Sequence, residues 1–189
     1  MRPRIVPFPA LVVVVAALAC GTAALDATVI VPADLGDLAR GARTIARGHV
    51  AAVEAQWTDD HRTIETLVTL EVEAYLKGPL GVTVQFRVPG GELGRYRSVF
   101  VGAPELRVGE HVVVFLGTRG PSVPFVLGLN QGVFRMVPAA DGLTWLVTPP
   151  PFMPAAGVAT PLIRGDASRR AMPLADFEQR VRTLAGGAR

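Results

Sequence analysis

Between residues 63 and 77 the chain alternates with a period of two. Ile64, Thr66, Val68, Leu70, Val72, Ala74 and Leu76 fall on one side, and Thr63, Glu65, Thr69, Glu71, Glu73 and Lys77 on the other, with Leu67 the exception. Such a period predicts a strand with one face buried. At 3.3 Å per residue it would run roughly 50 Å, longer than a flat strand in a small domain needs, which predicts coiling and suits a small closed barrel. The segment before it, with Ile45, Val50, Val53 and Trp57, reads as a second long strand, separated by the polar turn Thr58-Asp59-Asp60-His61. Downstream, Val82, Val84, Phe86 and Val88 alternate with Thr83, Gln85 and Arg87. Tyr96 to Gly102 reads as a return strand, and His111 to Leu116 is so nearly all apolar that it must be buried on both sides or close the core. Phe125 to Leu129, Val133 to Val137 and Leu143 to Val147 complete the β region, with Asn130-Gln131-Gly132 and Asp141-Gly142 as tight turns.

Helical signals occur only at the two ends of this region. Asp34 is a candidate N-cap for a short helix with Leu35, Leu38 and Ala42 on one side. A second helix is expected over 173–186, with Pro173 at its first position, Leu174, Phe177, Val181 and Leu184 on one face, and Gly186-Gly187 as the stop. Prolines 149, 150, 151, 154 and 161 predict an extended arm over 148–172. The expected fold is therefore mainly β: a small closed or partly open barrel at 25–147 with a short leading helix, a Pro-rich arm, and a C-terminal helix docked on the barrel.

The first residues change the compartment rather than the fold. Arg2 and Arg4, the apolar run from Leu11 to Leu18 and the small residues after it form the three parts of an export signal, expected over 1–24 with cleavage after Ala24. Cys20 raises a rival, cleavage before it and lipidation, although Ala17-Leu18-Ala19-Cys20 departs from the usual lipobox. As the only cysteine, Cys20 leaves no disulfide framework and no thiolate metal site. The whole chain has 19 basic and 16 acidic residues; without Arg2 and Arg4 the balance is 17 to 16. That near-neutrality argues against a nucleic-acid partner.

The stretch "RVPGGELGRYRS" is the candidate for chemistry, because three glycines beside three arginines suggest a phosphate cradle. The spacing of Gly90, Gly91 and Gly94 is wrong for a dinucleotide fingerprint, and a strand rather than a helix follows. The loop reads as a β connection whose glycines permit positive φ. Gly90, Gly91, Glu92, Gly94, Arg95 and Arg97 remain candidate partner contacts, with Gln131 as a second candidate edge, and Trp57 and Tyr96 as aromatic anchors. His49, His61 and His111 share no metal spacing, Glu71 and Glu73 read as a solvated strand face, and no serine lies in a nucleophile elbow. No catalytic residue, cofactor or metal is expected.

The order "ATVIVPADLGDLARGARTIARGHV", "IETLVTLEVEAYLKG", "VPGGELG", "VGAPELRVGEHVVVFL" and "NQGVFRMV", over Ala27 to Val137, resembles a group of uncharacterised exported bacterial proteins; Leu106 stands where they carry an aromatic. More distantly, Gly48-x-Val50 and Val72 to Gly78 resemble the first strands of netrin-like barrels of metalloproteinase inhibitors, which are OB-type. That resemblance implies protein binding, without the cysteine-based mechanism of those inhibitors. The expectation is an exported periplasmic or secreted monomer that binds an envelope or extracellular protein. It would meet the membrane only through signal processing or a lipid anchor. The alternatives are a lipid-anchored envelope component and a hydrolytic enzyme whose site the sequence hides.

Overall fold

The computed structural model describes residues 33–120, 122–150 and 170–186. The expected export signal with Cys20, and all but the ends of the expected arm, lie outside these residues. The chain is mainly β. Helix α1 (Leu35–Gly41) begins at Asp34, whose carboxylate accepts from the Asp37 amide at 2.7 Å. Strands β1 (Thr44–Trp57) and β2 (Ile64–Lys77) have 14 residues each. They are followed by β3 (Thr83–Pro89), the short pair β4 (Gly91–Leu93) and β5 (Tyr96–Ser98), β6 (His111–Gly117) and β7 (Phe125–Val126). A 3-10 turn (Leu129–Gly132), β8 (Val133–Pro138), β9 (Trp145–Thr148), β10 (Met172–Pro173) and helix α2 (Leu174–Gly186) complete the order.

Eight strands form one sheet in the order β1-β2-β3-β7-β6-β8-β9-β10, and β6 also pairs with β1. The pairings therefore run β1-β2-β3-β7-β6 and return to β1. Every step of that circuit is antiparallel except β3 to β7, a single parallel bridge at Arg87 and Phe125. Strands β8 to β10 continue outward from β6, and β4 and β5 pair only with each other.

The bending expected of the long strands comes from register shifts. The β1–β2 pairing slips at Ile45/Ala46, Arg47/Gly48 and Val50/Ala52, and each extra residue kinks the strand and raises its twist. Gly48 makes one of these crossings feasible: a Cβ there would lie 1.9 Å from the Glu71 carbonyl oxygen. The shifts also change which side chains point inward, so the single alternating face expected for β2 is corrected at its end. Val68 and Leu70 belong to the inner core, with Val72 and Tyr75 packed on it, whereas Leu76 belongs to an outer one.

Strand β6 separates these two cores. Val112, Val114 and Leu116 face inward with Val50, Leu70, Phe86 and Val126, while Val113 and Phe115 face outward. Its apolar sequence thus reflects burial on both sides, as its composition requires. The outer core is closed by both helices, which pack on each other and on this face: Leu38, Ala39 and Ala42 at one end of the chain, Phe177 and Val181 at the other. Phe134 stacks between Phe115 and Phe177, at ring distances of 5.4 and 5.0 Å.

Several boundaries differ from the expectation. The return strand stops at Ser98, because Val99 to Val101 turn out into solvent ahead of Gly102 at φ 85°. The strand expected over 125–129 ends at Val126, where Gly128 and Leu129 adopt left-handed conformations that start the 3-10 turn. Val82 lies before β3 and is 84% exposed, and Leu143 lies before β9, in the turn where Asp141 holds the Leu143 and Thr144 amides. Pro173 pairs with Leu146 in β10 instead of starting the helix.

Candidate functional site

Beyond β3 the chain reverses through Gly90 and Gly91 into the β4–β5 hairpin, which folds back over the distal ends of β1 and β2. Its root is fastened to β2. The Gly90 amide donates to the Ile64 carbonyl at 3.0 Å, and the Gly90 carbonyl accepts from the Thr66 hydroxyl at 2.7 Å. Gly91 has φ 151°, and a Cβ there would stand 2.7 Å from the Thr66 oxygen, so only glycine allows the hairpin this close. The tip is held differently: the Tyr96 ring meets Trp57 edge-on at 5.4 Å, and Arg95 lies over Tyr96 while also donating to its hydroxyl. Glu92 and Arg97 face each other across the hairpin at 3.0 Å, both largely exposed.

Between this hairpin and the segment that leads back to β6 lies a cleft of about 440 Å³, within the usual range for ligand-sized sites. Val53, Val68, Val88 and Leu106 form its apolar floor, continuous with the inner core. Gly90, Gly91, Glu92 and Arg97 to Phe100 make one wall, and Ala103, Pro104 and Glu105 the other. At its mouth Val99 and Phe100 are 73 and 42% exposed, and the next residue, Val101, is 64% exposed. Three consecutive apolar residues turned into water beside a cleft form an exposed apolar patch of the kind that marks interaction surfaces.

The structure brings four of the sequence-selected residues, Gly90, Gly91, Glu92 and Arg97, to the cleft. Gly94 and Arg95 are at the hairpin tip. Both arginines have partners within the hairpin, Arg97 in Glu92 and Arg95 in Tyr96, on which it is stacked and hydrogen-bonded. Gln131 does not line the cleft; it sits on the 3-10 turn, where its side-chain oxygen accepts from the Ala33 amide at 2.8 Å and its side-chain nitrogen donates to the Gly128 carbonyl. Val99, Phe100 and Val101 were missed because an apolar run after a glycine-rich turn reads as a strand. No local signal marked them: the strand ends at Ser98 because its partner β4 begins at Gly91.

A second group of polar residues gathers on the outer side of the sheet, where the sequence offered only a solvated face. His49 on β1 and His111 on β6 are directly opposed, with ring centroids 5.6 Å apart. Glu71 stands 3.1 Å from His49 Nε2, and Glu73 stands 3.2 Å from His111 Nδ1. Neither approach is aligned as a hydrogen bond, and the buried His111 Nδ1 has no hydrogen-bond partner. Glu73 also faces Arg47 at 3.6 Å, and Arg47 reaches Glu178 of α2 at 3.4 Å, tying the helix to the sheet through charge. Trp145 of β9 covers the His111 ring at 4.7 Å. Glu71 and Glu73 are exposed, as a solvated strand face requires, and strand pairing in addition gives each a cationic or polar-ring neighbour. His61 is left alone in the β1–β2 turn, at φ 56°.

None of the residues of this second group lines the cleft. Among the described residues no set of three or more His, Cys, Asp or Glu side chains is gathered to hold a metal ion, and no helix is long and apolar enough to cross a membrane. No protein-family model, curated protein or solved structure matches the chain.

Proposed function

We propose that this protein is an exported, non-catalytic binding module, a monomer that seats an apolar side chain of an envelope or extracellular protein in the cleft beside the β4–β5 hairpin. The observation that carries the reading is the exposed run Val99-Phe100-Val101 at the mouth of a cleft whose floor is apolar. Burying such a run against a partner removes apolar area from water at about 25 cal/mol per Å². The Glu92–Arg97 pair at the rim supplies polarity that orients a partner more than it adds affinity. The tied-down hairpin root favours a preformed site, which lowers the ordering cost of binding.

The pairing circuit β1-β2-β3-β7-β6-β1, with β3–β7 as its one parallel step, supports a five-stranded OB-type barrel. Two helices packed together on the outside of that circuit agree with the netrin-like resemblance. Export rests on the arginine-led apolar start of the chain. Intact mass of the mature protein from its host separates the two processing schemes: cleavage after Ala24 is expected, and an acylated Cys20 at the N-terminus would replace it with the lipid-anchored alternative.

The functional test is recovery of partners from envelope extract by the wild-type chain, by Phe100→Asp, and by the pair Gly91→Val with Arg95→Ala, each with its fold verified by circular dichroism. Loss of the same partner from both variants is expected. Identical partners on all three proteins would overturn the proposal.

A further inference from the structure

The outer group of polar residues does not belong to the cleft, and its geometry points to a different ligand. We propose that His49 and His111 form a two-imidazole site for a divalent transition-metal ion of the zinc, nickel or copper type, with Glu71 and Glu73 behind the rings.

The spacing of the two rings fits such an ion. A metal–nitrogen bond of 2.0–2.1 Å places a bound ion about 3.2 Å from each ring centre, and two such arms at angles from tetrahedral to trigonal span roughly 5.2–5.6 Å. The observed separation is 5.6 Å. The rings reach it because His49 and His111 are paired across β1 and β6, at the last register position of that ladder. Cross-strand neighbours on one face are the closest side chains a sheet can offer.

A carboxylate also stands behind each ring. Metal-bound imidazoles characteristically direct their other nitrogen at a carboxylate, which fixes the ring and raises its basicity. Here Glu71 stands 3.1 Å from Nε2 of His49 and Glu73 3.2 Å from Nδ1 of His111, within reach of that role once the rings turn to align the bonds. The opposite nitrogens, Nδ1 of His49 and Nε2 of His111, have no partner among the described residues. Trp145 packs on the His111 ring and restrains it further. Charge does not oppose a dication: Arg47 is engaged by Glu73 and Glu178, and among the described residues Glu71 meets no other basic group than His49. With two protein ligands, water completes the coordination sphere, which makes this an open site that exchanges its ion.

The chain's third histidine supplies the control. In tag-free, full-length mature protein titrated with Ni²⁺, and separately with Zn²⁺, calorimetry is expected to show one saturable ion per chain. In NMR spectra of the wild-type protein the ring signals of His49 and His111 shift or broaden with the first equivalent of Ni²⁺, and those of His61 do not. His49→Ala and His111→Ala each weaken binding by tenfold or more, Glu71→Gln weakens it by about tenfold through the ring it backs, and His61→Ala leaves it unchanged. Absence of saturable binding overturns the proposal. So does perturbation of His61 ahead of the other two rings, or retention of wild-type affinity by a folded His49→Ala, His111→Ala double variant. The ring signals of the wild-type protein decide the matter even where a variant fails to fold.

Discussion

Replacing Gly48 with alanine should destabilise the domain far more than the addition of one methyl group suggests. The new Cβ would sit 1.9 Å from the Glu71 carbonyl oxygen, with the Glu71 carbonyl carbon and the Val72 Cα also within about 3 Å. Close carbon–oxygen contacts between strands settle near 3.3 Å, so β1 and β2 would have to part by roughly 1 Å or more at this point. Strands are spaced about 4.8 Å apart, and such a gap takes the flanking ladder bonds out of good geometry. Two or three bonds at about 1 kcal/mol each, together with loosened packing around the fully buried Val50 and Leu70, give a loss of about 3–4 kcal/mol. Gly94→Ala is the matched control. Nothing lies within 4 Å of its added Cβ, and only its φ of 60° opposes a side chain, a cost of about 1–2 kcal/mol. Urea unfolding of the two variants against wild type, read as midpoint shifts at constant m, measures both losses. A Gly48→Ala loss no larger than that of Gly94→Ala would refute the close-approach argument and with it the bulged crossing of β1 over β2.

Phe177→Ala removes a ring buried against Phe134 and should cost about 3–5 kcal/mol in urea unfolding, with α2 losing hydrogen-exchange protection first. Thr66→Val deletes the hydroxyl that holds the Gly90 carbonyl and should cost about 1 kcal/mol while raising amide exchange across residues 90–98, with little change elsewhere. The Asp141 carboxyl is held below its ordinary value, first by the Thr144 hydroxyl and then by the Thr144 and Leu143 amides. Its contribution is therefore complete above the ordinary carboxylate pKa and is lost as pH falls through the lower folded value. An NMR titration should show the Leu143 and Thr144 amides keeping their neutral-pH shifts until below the ordinary Asp range, and Asp141→Ala should remove that transition.

The alternation of residues 63–77, the apolar run of β6 and the Asp34 cap were legible because each depends on local pattern: side-chain period, burial on two faces, and one hydrogen bond three residues away. The phase change at the base of β2 was not. It comes from bulges whose extra residue shows only when β1 is laid against its partner. The glycine loop was readable as a β connection, but its apolar exit was not, since Val99 to Val101 have the composition of a strand and lack only a strand to pair with. The His49–His111 pair was invisible for a related reason. Sixty-two positions separate the residues in sequence, and only the β1–β6 ladder makes them neighbours.

The proposal that the cleft and its apolar mouth form the binding surface is tested most directly by site-specific photo-crosslinking in the host. A photoreactive phenylalanine at position 100 samples the mouth, and the same group at Leu143, 89% exposed on the β8–β9 turn, samples an apolar surface residue outside the cleft. A defined protein adduct is expected from position 100 and not from position 143, and adding Ala103→Phe to fill the cleft should abolish it. Identical adducts from both positions, or an adduct at position 100 that survives Ala103→Phe in a folded chain, would contradict the claim that this surface is where the protein binds.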